Sequence, residues 1–313
     1  QIYLSYRIIK EIENTFSLED LESNIIAVKS AKSALPIFNP IINIKATPEL
    51  ANIIGHLLGD GGISKNQPYY FNKNLNLINN FKKNCYKIFG VFKIDESIDE
   101  GVICLRLPVI IGRLLNELNN TYSGANSNIP SFILKGDRKI KAAFVRAIFD
   151  DESSILNSSI TVEMTNKKII SNLPNLLKLF NIETNKISTR KRGINWRRTY
   201  TLRISGEQDF IKFYHYISFD HPKKRKLLIE KIHSYKKHQR KNLQAKNDII
   251  SLLSEKEFKT SELISVLKIK APCLSYHLKR LSKEKIIKTI PGKIVRDSKG
   301  RFIDINENKW TLT

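Results

Sequence analysis

Little in this sequence could cross-link it or seat it in a bilayer. Its 313 residues hold three cysteines, Cys85, Cys104 and Cys273. They are odd in number, scattered and without metal-ligand spacing, which argues against a disulfide framework and a structural zinc site. No run of about 18 apolar residues occurs, and the N-terminus lacks a basic stretch followed by an apolar core and a cleavage site. These absences lead us to expect a soluble intracellular chain, cytoplasmic or nucleoid-associated, with no membrane partner. The start at Gln1 suggests that a few leading residues are missing. Acid is scarce too: 30 Asp and Glu stand against 53 Lys and Arg, a net charge of +23. A chain this basic is expected to meet a polyanion, because lysine and arginine displace condensed counterions from nucleic-acid phosphates. Generic lysine enrichment of a solvated surface is the alternative. With 41% hydrophobic residues there is material for real cores, and the length suggests two or three domains.

What is present is a repeat. After an N-terminal extension (residues 1–45), with helix-like periodicity in Tyr6–Ile12 and Leu18–Lys29, Thr47-Pro-Glu-Leu starts a helix with threonine as N-cap and proline in the first turn. A first copy (46–136) runs from that helix through Gly59-Asp60-Gly61, the strand at Pro68–Asn74, the helical run from Leu75, strands closing on Val102–Leu107 and a helix at Ile110–Leu118. A second copy (137–235) repeats the order: helix Ile140–Asp151, strand from Ile160, helix Ile169–Phe180, hairpin Lys186–Ile204 and helix Asp209–Ile217. Both copies carry an Asn-Lys pair at the strand end (Asn72-Lys73; Asn166-Lys167) and Leu-Arg-aliphatic in the last strand (Leu105-Arg106-Leu107; Leu202-Arg203-Ile204). A basic linker (236–246) leads to a tail (247–313). Three helices there, followed by a basic hairpin, have the layout of a winged helix. Ser275, Tyr276, Lys279 and Arg280 on its third helix would enter the major groove, while Arg296, Lys299 and Arg301 on the wing would reach phosphates. A winged helix that binds protein is the alternative.

Two stretches carry a family resemblance. Ile53-Ile-Gly-His-Leu-Leu-Gly-Asp-Gly61 and Val145-Arg-Ala-Ile-Phe-Asp-Asp-Glu-Ser153 resemble the two motif copies of a single-chain LAGLIDADG homing endonuclease. Phe71-Asn-Lys-Asn74 and Phe219-Asp-His-Pro-Lys-Lys224 resemble flanking pieces of the same family, over roughly residues 46–230. The resemblance implies an α+β fold of duplicated αββαββα repeats forming a pseudo-twofold DNA-binding saddle, here followed by the winged helix-turn-helix. The motif helices would pack side by side, with Gly55, Gly59 and Ala147 at the contact. Asp60 and Glu152 would each bind Mg2+ (or Mn2+), with backbone near Gly59 and Asp151 completing the sites. Lys73 and Lys167, beside Asn72 and Asn166, would stand near the metals or simply bind phosphate. The hairpin basics Arg190, Lys191, Arg192, Arg197 and Arg198, with Lys223, Lys224 and Arg225 on the helix that follows, would hold DNA. Arg106 and Arg203 would lie nearer the sheet interior, and Trp196 and Tyr200 would cover the sheet.

Departures from the pattern weaken the second half-site. Glu152 stands where aspartate is commoner, Ser153 replaces the usual glycine, and Asp151 occupies a place that usually holds a small packed residue. Burying Asp151 without a partner would be costly, so it should be exposed or bonded to His56, itself read as a packed interface residue. The implied activity is site-specific hydrolysis of both strands of a long double-stranded DNA target by a monomer. The alternatives are a regulator that keeps the scaffold without cleavage and, less favoured, a maturase acting on intron RNA. An intein is disfavoured because the chain ends in Trp-Thr-Leu-Thr313.

Overall fold

A computed structural model describes residues 17, 20, 23–29, 35–41, 44–118, 122, 127–156, 159–191, 197–292, 294–296, 302–305 and 308–313. Tyr6–Ile12, Arg192, Trp196, Lys299 and Arg301 lie outside the described residues. The chain divides into two compact units, Gln1–Ile232 and His233–Thr313.

The first unit is built around two helices. Thr47 caps α1 (Pro48–Leu58) by accepting from Leu50 N at 3.2 Å, and Pro48 occupies the first turn. Every residue of α1 from Leu50 to Leu58 is buried. Such a helix is a core element rather than an amphipathic cover. Its counterpart follows one repeat later. α1 leads into β3 (Gly61–Ser64) and β4 (Gln67–Asn72), then α2 (Leu75–Phe89), β5 (Val91–Phe92), β6 (Asp95–Asp99), β7 (Val102–Arg106) and α3 (Val109–Leu118). After the short α4 (Ser131–Lys135), the second copy starts with α5 (Arg138–Glu152). It runs on through β8 (Ser153–Leu156), β9 (Ser159–Met164), α6 (Lys167–Lys178), β10 (Ser188–Arg190), β11 (Thr199–Ser205) and α7 (Glu207–Tyr216). The sheets have one design: β3-β4-β7-β6 in the first copy, β8-β9-β11-β10 in the second, all neighbours antiparallel. This is the expected α+β duplication of αββαββα repeats. Part of the N-terminal extension belongs to the first copy. β1 (Ala27–Val28) pairs with β2 (Ile37–Phe38), which pairs with β5.

α1 and α5 pack along their lengths, and the contact fixes the relation between the copies. A Cβ on Gly55 would lie 2.5 Å from Ala147 Cβ, and one on Gly59 would lie 2.8 Å from Asp151 Oδ2. Ala147 and Asp151 each lie 92 positions beyond the glycine they touch, the same step that separates Asp60 from Glu152. Each helix position therefore meets its own counterpart, as at a twofold axis. Only glycine lets the backbones approach this closely.

The long α8 (Pro222–Glu255) begins in the first unit and ends in the second. The stretch 236–246, expected as a linker, is helical. The second unit continues with β12 (Phe258–Lys259), α9 (Thr260–Leu267), α10 (Ala271–Lys283), β13 (Ile287–Ile290), the pair β14 (Ile294–Arg296) and β15 (Phe302–Ile305), and β16 (Lys309–Leu312). Leu253, Leu263, Leu274, Leu278, Leu281 and Ile287 form its own core. Thr260 does not cap α9 as a threonine at that place would suggest. Its hydroxyl accepts from Trp310 Nε1 at 3.1 Å, and Glu262 accepts from Lys259 N at 2.8 Å. No helix among the described residues is long and apolar enough to cross a membrane. Cys85 and Cys104 are buried thiols and Cys273 an exposed one.

Candidate active site and nucleic-acid interface

Because α1 and α5 run side by side, their C-terminal ends come together, and each end carries acid. Asp60 follows α1 directly; Asp150, Asp151 and Glu152 form the last turn of α5. Carboxylates at helix C-termini oppose the helix dipole and repel one another, so this corner must be compensated. Three partnerships do so. His56, fully buried on α1, places Nδ1 2.9 Å from Asp151 Oδ2, while its Nε2 has no partner among the described residues. Burial alone would lower the His56 pKa, but the Asp151 charge and hydrogen bond outweigh it and hold it raised. Tyr70 from β4 donates to Asp151 Oδ1 at 2.9 Å, and burial with the Asp151 charge raises its pKa. Asp151 is thus paired with His56, one of its two expected settings, in the hollow that Gly59 leaves.

The second partnership involves Asp150, which accepts from Asp220 N and His221 N at 3.1 and 3.0 Å and fixes the turn that opens α8. Burial still pushes its carboxyl to about 7. The third is Lys224 on the first turns of α8. Its Nζ donates to Phe149 O at 3.1 Å and to Asp150 O at 2.5 Å, satisfying carbonyls at the end of α5. Burial lowers the Lys224 pKa, and Asp150, Asp151, Asp60 and Glu152 oppose that shift.

Asp60 and Glu152 remain. Asp60 is exposed as a residue, yet burial of its carboxyl and the Asp151 charge push it to about 6. Glu152 is half-buried, and burial followed by the charges of Asp60 and Asp151 raises it to about 8. A cleft of 370 Å³ opens at Asp60, walled by Phe71, Asn72, Lys73, Val102, Asp150, Asp151, His221 and Lys224. Asn72 Nδ2 lies 3.1 Å from the Tyr70 hydroxyl, 3.4 Å from Asp151 Oδ1 and 3.5 Å from Asp60 Oδ2. Among the described residues no group of three or more His, Cys, Asp or Glu forms a metal cage. Mg2+ does not ask for one, since it keeps water and binds through one or two carboxylates plus phosphate oxygens. Two mutually repelling carboxylates at two helix C-termini fit that partial donor set.

The structure brings together Asp60, Asn72, Lys73, Glu152 and Lys224, and separates other expected members. Gly55, Gly59 and Ala147 lie at the helix contact. Asn166 is buried, accepts from Lys168 N and Ile169 N as the cap of α6, and donates to Ser127 O. It is not available to DNA. Its counterpart is Asn74, the cap of α2, and not Asn72. The repeated Asn-Lys pairs were therefore two positions out of register, so Lys167 sits exposed in the first turn of α6, away from the cleft. Met164 and Thr165 hold the places of Asn72 and Lys73 in the second copy. Ser153 is buried and donates to Phe149 O at 2.5 Å. Arg190, Lys191, Arg197, Arg198, Lys223 and Arg225 are exposed, as is Arg203, which does not lie inside its sheet. Arg225 stacks over Tyr214 at 5.9 Å. In the second unit Tyr276, Lys279 and Arg280 are exposed on α10 and Ser275 half-exposed. Arg280 is held by Glu284 at 3.0 Å, and Arg296 ends β14. Sequence reading placed Lys224 among the phosphate binders and missed its seat at the acid cluster. The adjoining His221-Pro-Lys-Lys224 was the signal, but nothing local in it points to a helix end some 70 positions earlier.

A family model described as a LAGLIDADG-like domain matches residues 139–218. The second repeat thus matches a LAGLIDADG-like domain. A second model, described as a bacterial regulatory protein of the arsR family, matches residues 244–289 of the winged-helix unit. Each of the two units thus carries a family match of its own. Among curated proteins, a glutamine–fructose-6-phosphate aminotransferase (isomerizing) of Methanocaldococcus jannaschii is 26% identical over 181 residues, 55% of this chain and 16% of that one. The chain therefore spans about a sixth of that relative's length. Among solved structures, I-DmoI in complex with DNA and Mn is 17% identical, with 55% of this chain and 97% of that chain covered and a TM-score of 0.41. Full-length DUF199/WhiA from Thermatoga maritima is 14% identical, with 77% and 92% covered and a TM-score of 0.42.

Proposed function

We propose that the first unit is a metal-dependent endonuclease for double-stranded DNA, with Asp60 as its leading acid and Glu152 as the second, and that the winged-helix unit adds DNA contacts of its own. The observation that supports this reading is the concentration of acid at the shared end of α1 and α5 in a chain whose net charge is +23. A phosphodiester cannot approach that corner without cations. Lys224 supplies one, and Asp60 and Glu152 are the residues that would hold Mg2+, which when bound polarises a phosphate and acidifies a water. Asn72 orients the Asp60 carboxylate, and Lys73, in the wall of the same cleft, is placed to bind a non-bridging phosphate oxygen. Gly59 and Gly55 set the helix spacing that keeps the acids converged.

The test uses the full chain and a duplex recovered by binding selection from a randomised library, in Mg2+ or in Ca2+. Cleavage of both strands in Mg2+ is expected, slowed on the order of a hundredfold or more in Asp60→Asn while binding in Ca2+ persists. A second reading, a regulator that binds without cutting, is favoured by the arsR-family match over residues 244–289. Tight binding with neither strand cut in Mg2+ or Mn2+ would leave that reading standing and sink the first.

A further inference from the structure

The two sheets of the first unit are built alike and charged unlike. Arg106 and Arg203 hold matching places, each on the return strand of its sheet and directly across from the second strand: Arg106 faces Tyr69, Arg203 faces Thr161. Arg106 is half-exposed but engaged by the neighbouring β6, with Nη1 3.2 Å from Ser97 Oγ and 3.7 Å from Asp95. Arg203 is exposed and makes no ion pair among the described residues. Beside it on the same face stand the hydroxyls of Thr161 and Ser154, which can donate to or accept from base edges.

The outer strands widen the contrast. β6 reads Asp95-Glu-Ser-Ile-Asp99, is exposed along its whole length and runs into Glu100. Lys82 engages Glu96, but Asp99 and Glu100 have no ion-pair partner among the described residues. Residues 91–106 hold two bases and four acids; the corresponding 186–203 hold seven bases and no acid. Lys186, Arg190, Lys191, Arg197 and Arg198 are all exposed there. An exposed acid within about 8 Å of a phosphate acts at less than one screening length in physiological salt. A strand with several such acids at its rim therefore repels the duplex that its counterpart attracts.

We propose that the protein grips DNA from one side: the sheet of the second repeat carries the phosphate and base contacts, and the acidic outer strand of the first sheet holds the duplex off that half. The target would then be asymmetric, with its sequence determinants concentrated on the second-repeat side. This rests on the DNA-binding reading above but not on cleavage, so the test is a binding measurement in Ca2+. The full chain and a mixed-sequence 40-base-pair duplex, a probe length of about four helical turns, are titrated across a range of salt. Arg190→Ala with Arg203→Ala should weaken binding by about tenfold or more and lower the log–log salt slope by about two. Arg106→Ala should stay within about twofold of the parent, and Asp95→Asn with Asp99→Asn should bind several-fold tighter. Thermal melting of each variant confirms that it is folded. Arg106→Ala weakening binding as much as Arg190→Ala with Arg203→Ala, or the neutralised β6 binding no tighter, would overturn the one-sided grip while leaving DNA binding intact. A full chain that binds no duplex at any salt would overturn both.

Discussion

Lys224 reaches its two carbonyls at the end of α5 from a helix that begins 70 residues later, and its charge is felt by four carboxylates. Lys224→Met keeps the packing stem but takes this donor from Asp150 O, while Ser153 still serves Phe149 O, and removes that charge. A loss of about 1–3 kcal/mol is expected in urea unfolding, together with a cleavage pH profile displaced upward as Asp60 and Glu152 hold their protons more tightly. Glu152 gives a second prediction. Its carboxyl is raised to about 8, above the ordinary 4.5. The folded chain then binds the proton more tightly than the unfolded chain, so stability from this group is full below about 4.5 and falls as pH rises toward 8. In metal-free buffer Tm should fall across that window, and Glu152→Gln should remove much of the fall, raising Tm at pH 8 by on the order of a few degrees. A Tm that is equally pH-dependent in Glu152→Gln would show that other carboxyls carry the effect.

The α1–α5 contact tests the geometry at the level of elements. A Cβ at Gly55 would meet Ala147 Cβ at 2.5 Å and Phe144 O at 2.9 Å, and a backbone oxygen in a helix cannot step aside cheaply. Gly55→Ala should cost about 1–3 kcal/mol by chemical denaturation, and Ala147→Gly in the same chain should return part of it, measured as a double-mutant coupling. Elements of this kind were the legible part of the sequence. Thr47-Pro48 marked the start of α1, the repeated element order with its shared Leu-Arg-aliphatic strand gave the duplication, and apolar periodicity placed α2, α6 and α7. β3 and β8 were not visible. At four residues each, Gly61–Ser64 and Ser153–Leu156 are too short to show alternation, and they exist because β4 and β9 offer them an edge. The Asn-Lys register failed for a similar reason. Asparagine caps and strand-end asparagines look the same in sequence, and only hydrogen bonds to Asn76 N and Leu77 N identify Asn74 as the partner of Asn166. The site was half legible, since its acids lay in motifs while Lys224 and Tyr70 reached it through long-range folding.

At the scale of the whole molecule, the winged-helix unit has a core of its own, centred on Leu263, Leu274, Leu278 and Leu281. Leu278→Ala should cost that unit about 2–5 kcal/mol. Hydrogen exchange should quicken across α9, α10 and β13 while α1 and α5 keep their protection. Equal loss of protection in α1 would mean that the two cores unfold as one. The strong positive charge makes a matching demand on binding assays: affinity for any duplex should fall steeply with salt, so the cleavage and binding comparisons have meaning only at one fixed ionic strength.

The meeting of Gly59 with Asp151 also governs which halves can mate. Two second repeats joined through α5 would set Asp151 against Asp151, with neither a glycine hollow nor the His56 ring to receive the charge. Two first repeats joined through α1 would face glycine with glycine, leaving His56 no acid to hold. Self-pairing of either half is therefore expected to be weaker than the pairing of unlike halves, since only the unlike pair sets Asp151 in the Gly59 hollow beside His56.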